Sequence, residues 1–121
     1  MKKRGYDDYH PDSSLFVPLP PFPKKMLVEI TNACNHACIF CANSRMTRKK
    51  GMIVRPQLKS VLEQAYDLGT REVGFYSTGE PLLYKGLWWA VREAKRVGYQ
   101  YVYLTTNGAL ANLTKMRDLI D

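Results

Sequence analysis

Three cysteines carry the strongest chemical signal in the chain: Cys34, Cys38 and Cys41, the only ones it has, all fall within residues 31–41. Three residues separate the first pair and two separate the second. Cysteines that merely pack would be scattered through the apolar segments; this crowding points to one metal or cluster gripped by one loop. Three thiolates are one short of the usual four for an iron–sulfur cluster. A 4Fe–4S cluster held by three keeps one iron without a protein ligand. That iron can take a small molecule, as the open position of a catalytic zinc site does. The loop also admits free thiols, a disulfide, or zinc with His36 as fourth ligand. An odd count and the lack of a secretory pattern weigh against the disulfide. Zinc sites usually pair two knuckles, and no second half is present. On the loop alone, cluster and zinc both stand.

The elements that must position this loop follow from periodicity. Residues 26–30 read as a short buried strand running straight into the cysteines. Residues 55–68 read as a helix, with Pro56 in its first turn, an apolar stripe of Leu58, Val61, Leu62, Ala65 and Leu68, and Gly69 as its stop. Residues 72–76 form a second strand and 85–97 a second helix, with Leu87, Val91, Ala94 and Val97 inward and Gly98 after it. Residues 101–105 form a third strand. A last helix starts near Asn112, a good cap, and carries Leu113, Met116 and Ile120. Strand–helix alternation predicts a parallel α/β sheet with right-handed crossovers.

In such folds sites gather at the carboxyl ends of the strands. Three polar segments follow strand ends here: the cysteine loop, Thr78-Gly79-Glu80-Pro81, and Thr106-Asn107-Gly108. Their predicted convergence on one rim does not depend on any single motif. Gly79 lets the backbone turn sharply and approach a ligand, Pro81 fixes the turn, and the Glu80 carboxylate can receive an ammonium group. Taken singly, the tetrapeptide reads equally as an ordinary strand-to-helix turn, and Asn107-Gly108 as a common turn dipeptide.

Length and charge bound the partners. The chain has 121 residues and a formal net charge of +7, enough for one domain with a modest core. Residues 1–25 hold Pro11, Pro18, Pro20, Pro21 and Pro23 and read as an extended arm, with Leu15, Phe16, Val17, Leu19 and Phe22 available to pack on the domain surface. No apolar run reaches membrane-spanning length. No signal peptide follows Met1-Lys2-Lys3-Arg4, so a cytoplasmic, reducing setting is expected. Basic residues cluster after the cysteines: Arg45, Arg48, Lys49, Lys50, Arg55 and Lys59. They read as a solvated face, as attraction for an anionic small molecule, or as an anionic-polymer surface. No nucleic-acid-binding motif accompanies them, which argues against nucleic acid.

At these residues the chain resembles the radical S-adenosylmethionine (SAM) superfamily. The CxxxCxxC spacing at Cys34, Cys38 and Cys41 matches the family's cluster loop, with Phe40 as the aromatic residue before the last cysteine. Thr78-Gly79-Glu80-Pro81 resembles its GGEP segment, with Thr78 in place of the first glycine. Thr105-Thr106-Asn107-Gly108 resembles a segment that follows the third strand. The resemblance implies a 4Fe–4S cluster on the three cysteines and SAM on its fourth iron. It further implies that residues 78–81 bind the SAM ammonium, with Glu80 the principal side chain, that backbone at Phe40 lies near the adenine, and that Asn107 belongs to the cofactor site. One-electron cleavage would give a 5′-deoxyadenosyl radical that takes hydrogen from a substrate. No residue of this chain is assigned a catalytic role.

The stretches at residues 46–52 and 79–83 resemble the branch that carries a SPASM domain with auxiliary clusters, which includes peptide-modifying enzymes. The family core is a partial (β/α)6 TIM-like barrel, and residues 26–121 supply a (βα)3 half of it. The expectation is therefore a truncated half-barrel of a longer enzyme, with an uncovered sheet prone to self-association. Its expected partners are a reductant such as flavodoxin or ferredoxin and a substrate that is a peptide or an anionic small molecule. The competing reading is a non-catalytic, cysteine-rich zinc or iron module used for interaction.

Overall fold

The computed structural model describes residues 21–120. Residues 1–20 of the expected arm, including Leu15, Phe16, Val17 and Leu19, lie outside the described residues. Strands β1 (Lys25–Leu27), β2 (Glu72–Phe75) and β3 (Tyr101–Leu104) alternate with helices α1 (Arg55–Asp67), α2 (Leu87–Val97) and α3 (Leu113–Ile120). Short 3-10 turns, Ala42–Arg45 and Pro81–Leu83, lie in the loops after β1 and β2. The sheet is parallel, in the order β1-β2-β3. Met26 pairs with Val73 and Val73 with Val102; Leu27 pairs with Gly74 and Gly74 with Tyr103. The chain thus forms the parallel (βα)3 arrangement that the alternation predicts.

Strand alternation sorts the side chains onto two faces. Val28, Ile30, Val73 and Phe75 point to the helices and are buried with Leu58, Leu62, Leu87, Ala90, Ala94 and Tyr99. Phe75, Leu58, Leu62 and Val73 are wholly buried, and each such side chain contributes roughly 1.5–3 kcal/mol. The other face carries Leu27, Gly74 and the tyrosines of β3, with Tyr101 stacked on Tyr103 at 5.2 Å. Leu27 and Tyr101 remain exposed there.

Three expectations need correcting. The first strand is shorter than residues 26–30, because the backbone beyond Val28 pairs with the return of the cysteine loop instead of β2. Asn32 N–H donates to the Gly51 carbonyl and Ile53 N–H to the Ile30 carbonyl. Lys25 already pairs with Glu72, so the arm ends one residue earlier than expected. The helical stripes are narrower than predicted. Val61 and Leu68 are exposed, since only the side of α1 carrying Leu58, Leu62 and Ala65 meets α2 and the sheet. In α2, Ala90 and Glu93 are buried beside Leu87 and Ala94, while Val91 and Val97 are half-buried. The expected stops hold: Gly69 and Gly98 have φ of 113° and 115°. Asn112 also caps as expected, its Oδ1 accepting the Lys115 N–H at 2.9 Å.

Candidate functional site

All three cysteines are free and partly exposed. They line a loop whose tip, Ile39 and Phe40, is 99% and 90% exposed. The His36 N–H points at Cys34 Sγ and the Asn43 N–H at Cys41 Sγ, each at 3.5 Å. The Cys41 N–H donates to the Cys38 carbonyl at 3.0 Å and closes the last turn.

Glu80 binds the three strand ends together. It is 2% exposed. Its Oε1 accepts the Leu82 N–H at 2.9 Å and the Thr106 hydroxyl at 2.6 Å, and its Oε2 accepts the Asn107 N–H at 2.8 Å. Its own N–H donates to the Ala33 carbonyl at 2.8 Å. A buried carboxylate needs such donors, and hydrogen bonds to a charged group contribute roughly 1.5–3 kcal/mol each. Asn107 Nδ2 also donates to Asn35 Oδ1 at 3.0 Å, joining the third strand end to the cysteine loop. Pro81 is buried as the first residue of the 3-10 turn.

Gly79 has a different reason from the one the sequence suggests. A Cβ there would lie 2.1 Å from the Thr31 carbonyl oxygen and 2.8 Å from that of Ala33. The close approach is to the cysteine loop's own backbone.

Thr78 is fully engaged. Its N–H and hydroxyl donate to Glu29 Oε1, and its carbonyl accepts Asn43 Nδ2 at 2.7 Å. Glu29 also accepts a two-pronged contact from Arg48, at 2.8 and 3.2 Å. The Arg48 guanidinium holds the Glu29 carboxyl below its ordinary value; burial opposes it, and the Thr78 donors add to the lowering. Inside the loop, Asn32 Oδ1 accepts the Gly51 N–H at 2.7 Å, and Lys50 Nζ donates to Asn43 Oδ1 at 2.6 Å. Thr31, Asn32 and Asn43 are all buried.

The basic cluster is largely occupied within the chain. Arg48 pairs with Glu29, Lys50 reaches Asn43, Arg55 lies 5.3 Å from the Trp89 ring, and Lys59 is 3.9 Å from Glu63. This leaves less of it for an external polyanion than a solvated run would offer.

The rim therefore gathers a three-thiol loop, a buried Glu turn and an Asn-Gly segment from three successive strand ends. The family model of the radical SAM superfamily matches residues 28–121. The chain belongs to the radical SAM superfamily. It is 35% identical over 102 residues to a PqqA peptide cyclase of Gluconobacter oxydans, covering 84% of this chain and 28% of that protein. It is 31% identical over 83 residues to a probable GTP 3′,8-cyclase of Methanothermobacter thermautotrophicus, covering 69% of this chain and 27% of that one. Among solved structures it is similar to BtrN in complex with AdoMet and 2-DOIA, with a TM-score of 0.74, 27% identity, and 80% of this chain against 41% of that one. The chain thus spans about a quarter of the length of these curated relatives.

Radical SAM proteins use a 4Fe–4S cluster and SAM, and the residues present suit both. The donor set is three free thiols on one exposed loop, with N–H groups aimed at two sulfurs, a contact that tunes such clusters. Among the described residues, no three Cys, His, Asp or Glu side chains are grouped to hold one metal ion. Among the described residues, no helix is long and apolar enough to cross a membrane.

Glu29, Asn32 and Asn43 were not singled out by sequence reasoning as parts of the site, and Arg48 and Lys50 were read only as members of the basic cluster. One signal was available: Glu29 interrupts an apolar run between Val28 and Ile30. Asn43 and Asn32 look like ordinary loop residues until their burial is seen.

Proposed function

We propose that Cys34, Cys38 and Cys41 hold the 4Fe–4S cluster and that the turn at 78–81 receives the ammonium of SAM. When bound, the pair supplies a 5′-deoxyadenosyl radical that takes hydrogen from a substrate. The observation that carries the reading is the Glu80 junction, which ties the SAM turn to Thr106, Asn107 and the cysteine loop. Glu80 presents a buried carboxylate whose Oε2 holds one protein donor and so keeps acceptor capacity. Thr78 contributes by position, since its polar groups are already engaged. Exposed Phe40 offers its backbone and ring beside the adenine, and Asn107 orients the third strand end. The chain's own task is to hold the cofactors in register.

Residues 26–121 form, on this reading, the cluster-binding half of a partial barrel whose remaining strands would complete the substrate chamber. The similarity to PqqA peptide cyclases and to probable GTP 3′,8-cyclases supports a substrate that is a peptide or an anionic small molecule. A flavodoxin- or ferredoxin-type reductant and a cytoplasmic setting complete the proposal.

Anaerobic reconstitution tests it. The expected result is about four irons per chain, with loss of iron in Cys34→Ala, Cys38→Ala and Cys41→Ala. The reduced protein should give an EPR signal that SAM alters. Iron-free protein holding stoichiometric zinc would overturn the reading.

A further inference from the structure

We infer that Asn43 is a positioning residue that sets the separation between the cluster loop and the 78–81 turn, and through it the grip on SAM. The inference rests on the function proposed above. Asn43 is 6% exposed, and every polar atom of its side chain is in use. Nδ2 donates to the Asn32 carbonyl at 2.8 Å, at the base of the cysteine loop, and to the Thr78 carbonyl at 2.7 Å, in the turn. Oδ1 accepts Lys50 Nζ at 2.6 Å, and that ammonium also donates to the Asn32 carbonyl at 3.2 Å. The backbone N–H of the same residue points at Cys41 Sγ. One buried residue therefore touches a cluster-ligand sulfur, the base of the cluster loop and the turn beyond it.

The chemistry fixes the amide's orientation. Flipping it would set its oxygen against two carbonyls and its NH2 against an ammonium. Only a neutral side chain with two donors and one acceptor satisfies all three neighbours. Asn43 lies in the 3-10 turn Ala42–Arg45, whose N-cap is Cys41, so a shift of the amide moves the sulfur with it. Outer-shell partners of this kind typically change affinity or activity by roughly 10–100-fold.

The test titrates SAM into the reconstituted, reduced protein and follows the EPR signal and the cluster's midpoint potential. Asn43→Asp keeps the shape but removes both donors. It is expected to retain its iron and its circular dichroism, to bind SAM about tenfold or more weakly, and to show a shifted potential. Lys50→Met leaves both donors in place and should weaken SAM binding less. Gly69→Ala, at the opposite end of the sheet, lowers stability but should leave SAM affinity unchanged, which separates positioning from general weakening. Wild-type affinity and potential in both Asn43→Asp and Asn43→Ala would overturn the inference. If neither loads iron, wild-type affinity in Lys50→Met overturns it instead. Failure of the underlying function would appear in the wild type, as absent iron or a signal blind to SAM.

Discussion

At the amino ends of the strands, α1 and α2 return to the sheet through the same turn. Gly69 N–H reaches the Tyr66 carbonyl and Thr70 N–H the Ala65 carbonyl; Gly98 N–H reaches Lys95 and Tyr99 N–H reaches Ala94. This is the left-handed glycine stop, used twice. Tyr66 and Tyr99 pack against each other beneath it at 5.6 Å. At the carboxyl ends no such repetition exists. There the bonds are made by side chains from distant parts of the chain, such as Asn107 to Asn35, 72 residues apart. The first end is closed chiefly by local backbone geometry, with Thr70 Oγ1 reaching the Pro23 carbonyl and Tyr99 Oη the Leu62 carbonyl, whereas the second is held mainly by a non-local polar mesh around the cysteines. The difference separates what terminates a helix from what registers a cofactor site, and the two ends should therefore fail differently.

The largest expected effect is at the mesh. Gly79→Ala would place a methyl group 2.1 Å from the Thr31 carbonyl oxygen, and neither backbone can retreat without breaking the Glu80–Ala33 bond. Overpacking against backbone should cost about 3 kcal/mol or more. Urea unfolding would show it, and a midpoint near wild type would mean the two loops are not locked together. Next is Glu80→Gln, which keeps the shape but replaces a charged acceptor with a neutral amide. A loss of roughly 1.5–3 kcal/mol is expected, with weakened SAM binding. An unchanged urea midpoint would show that Thr106 and Asn107 do not depend on the carboxylate.

The same contrast explains what the sequence made legible. Helix stops and caps arise from interactions within a few residues, so Gly69, Gly98 and Asn112 could be read directly. The convergence of Cys34, Glu80 and Asn107 was legible too, because parallel topology forces successive strand ends onto one rim. The partners within that rim were not. Nothing local in Asn43 announces a bond to Thr78, and the pairing of Arg48 with Glu29 depends on the path of the cysteine loop. Gly79 was read as a sharp turn open to a ligand, yet what its missing side chain makes room for is the Thr31 backbone, which periodicity cannot reveal. Val61 and Leu68 show the opposite error. Helical spacing gives the width an apolar stripe can have, while the neighbouring elements decide how much of it is covered.

A smaller effect is expected at the local end. Gly69→Ala meets no atom within 4 Å, so its cost is conformational alone, at φ 113°. About 1 kcal/mol is expected in urea unfolding, with iron content and the SAM-altered EPR signal unchanged. Loss of the cluster in this variant would show that the two ends are not independent.

The smallest effect is expected from Glu29→Gln, because Arg48 faces water and an exposed ion pair is weak. Its value is in the sign of its pH dependence. Arg48 first, then Thr78, lowers the Glu29 carboxyl below the ordinary 4.5. A carboxyl lowered on folding stabilises the protein fully above its unfolded value, and that contribution is lost as pH falls through the folded value. Wild type should therefore exceed Glu29→Gln in stability at neutral pH, and the gap should close once pH drops below 4.5. Urea midpoints measured for both proteins across that range give the comparison. A gap that stays constant on acidification would mean that Glu29 acts by shape and hydrogen-bond capacity, and that the Arg48 charge adds nothing to the mesh.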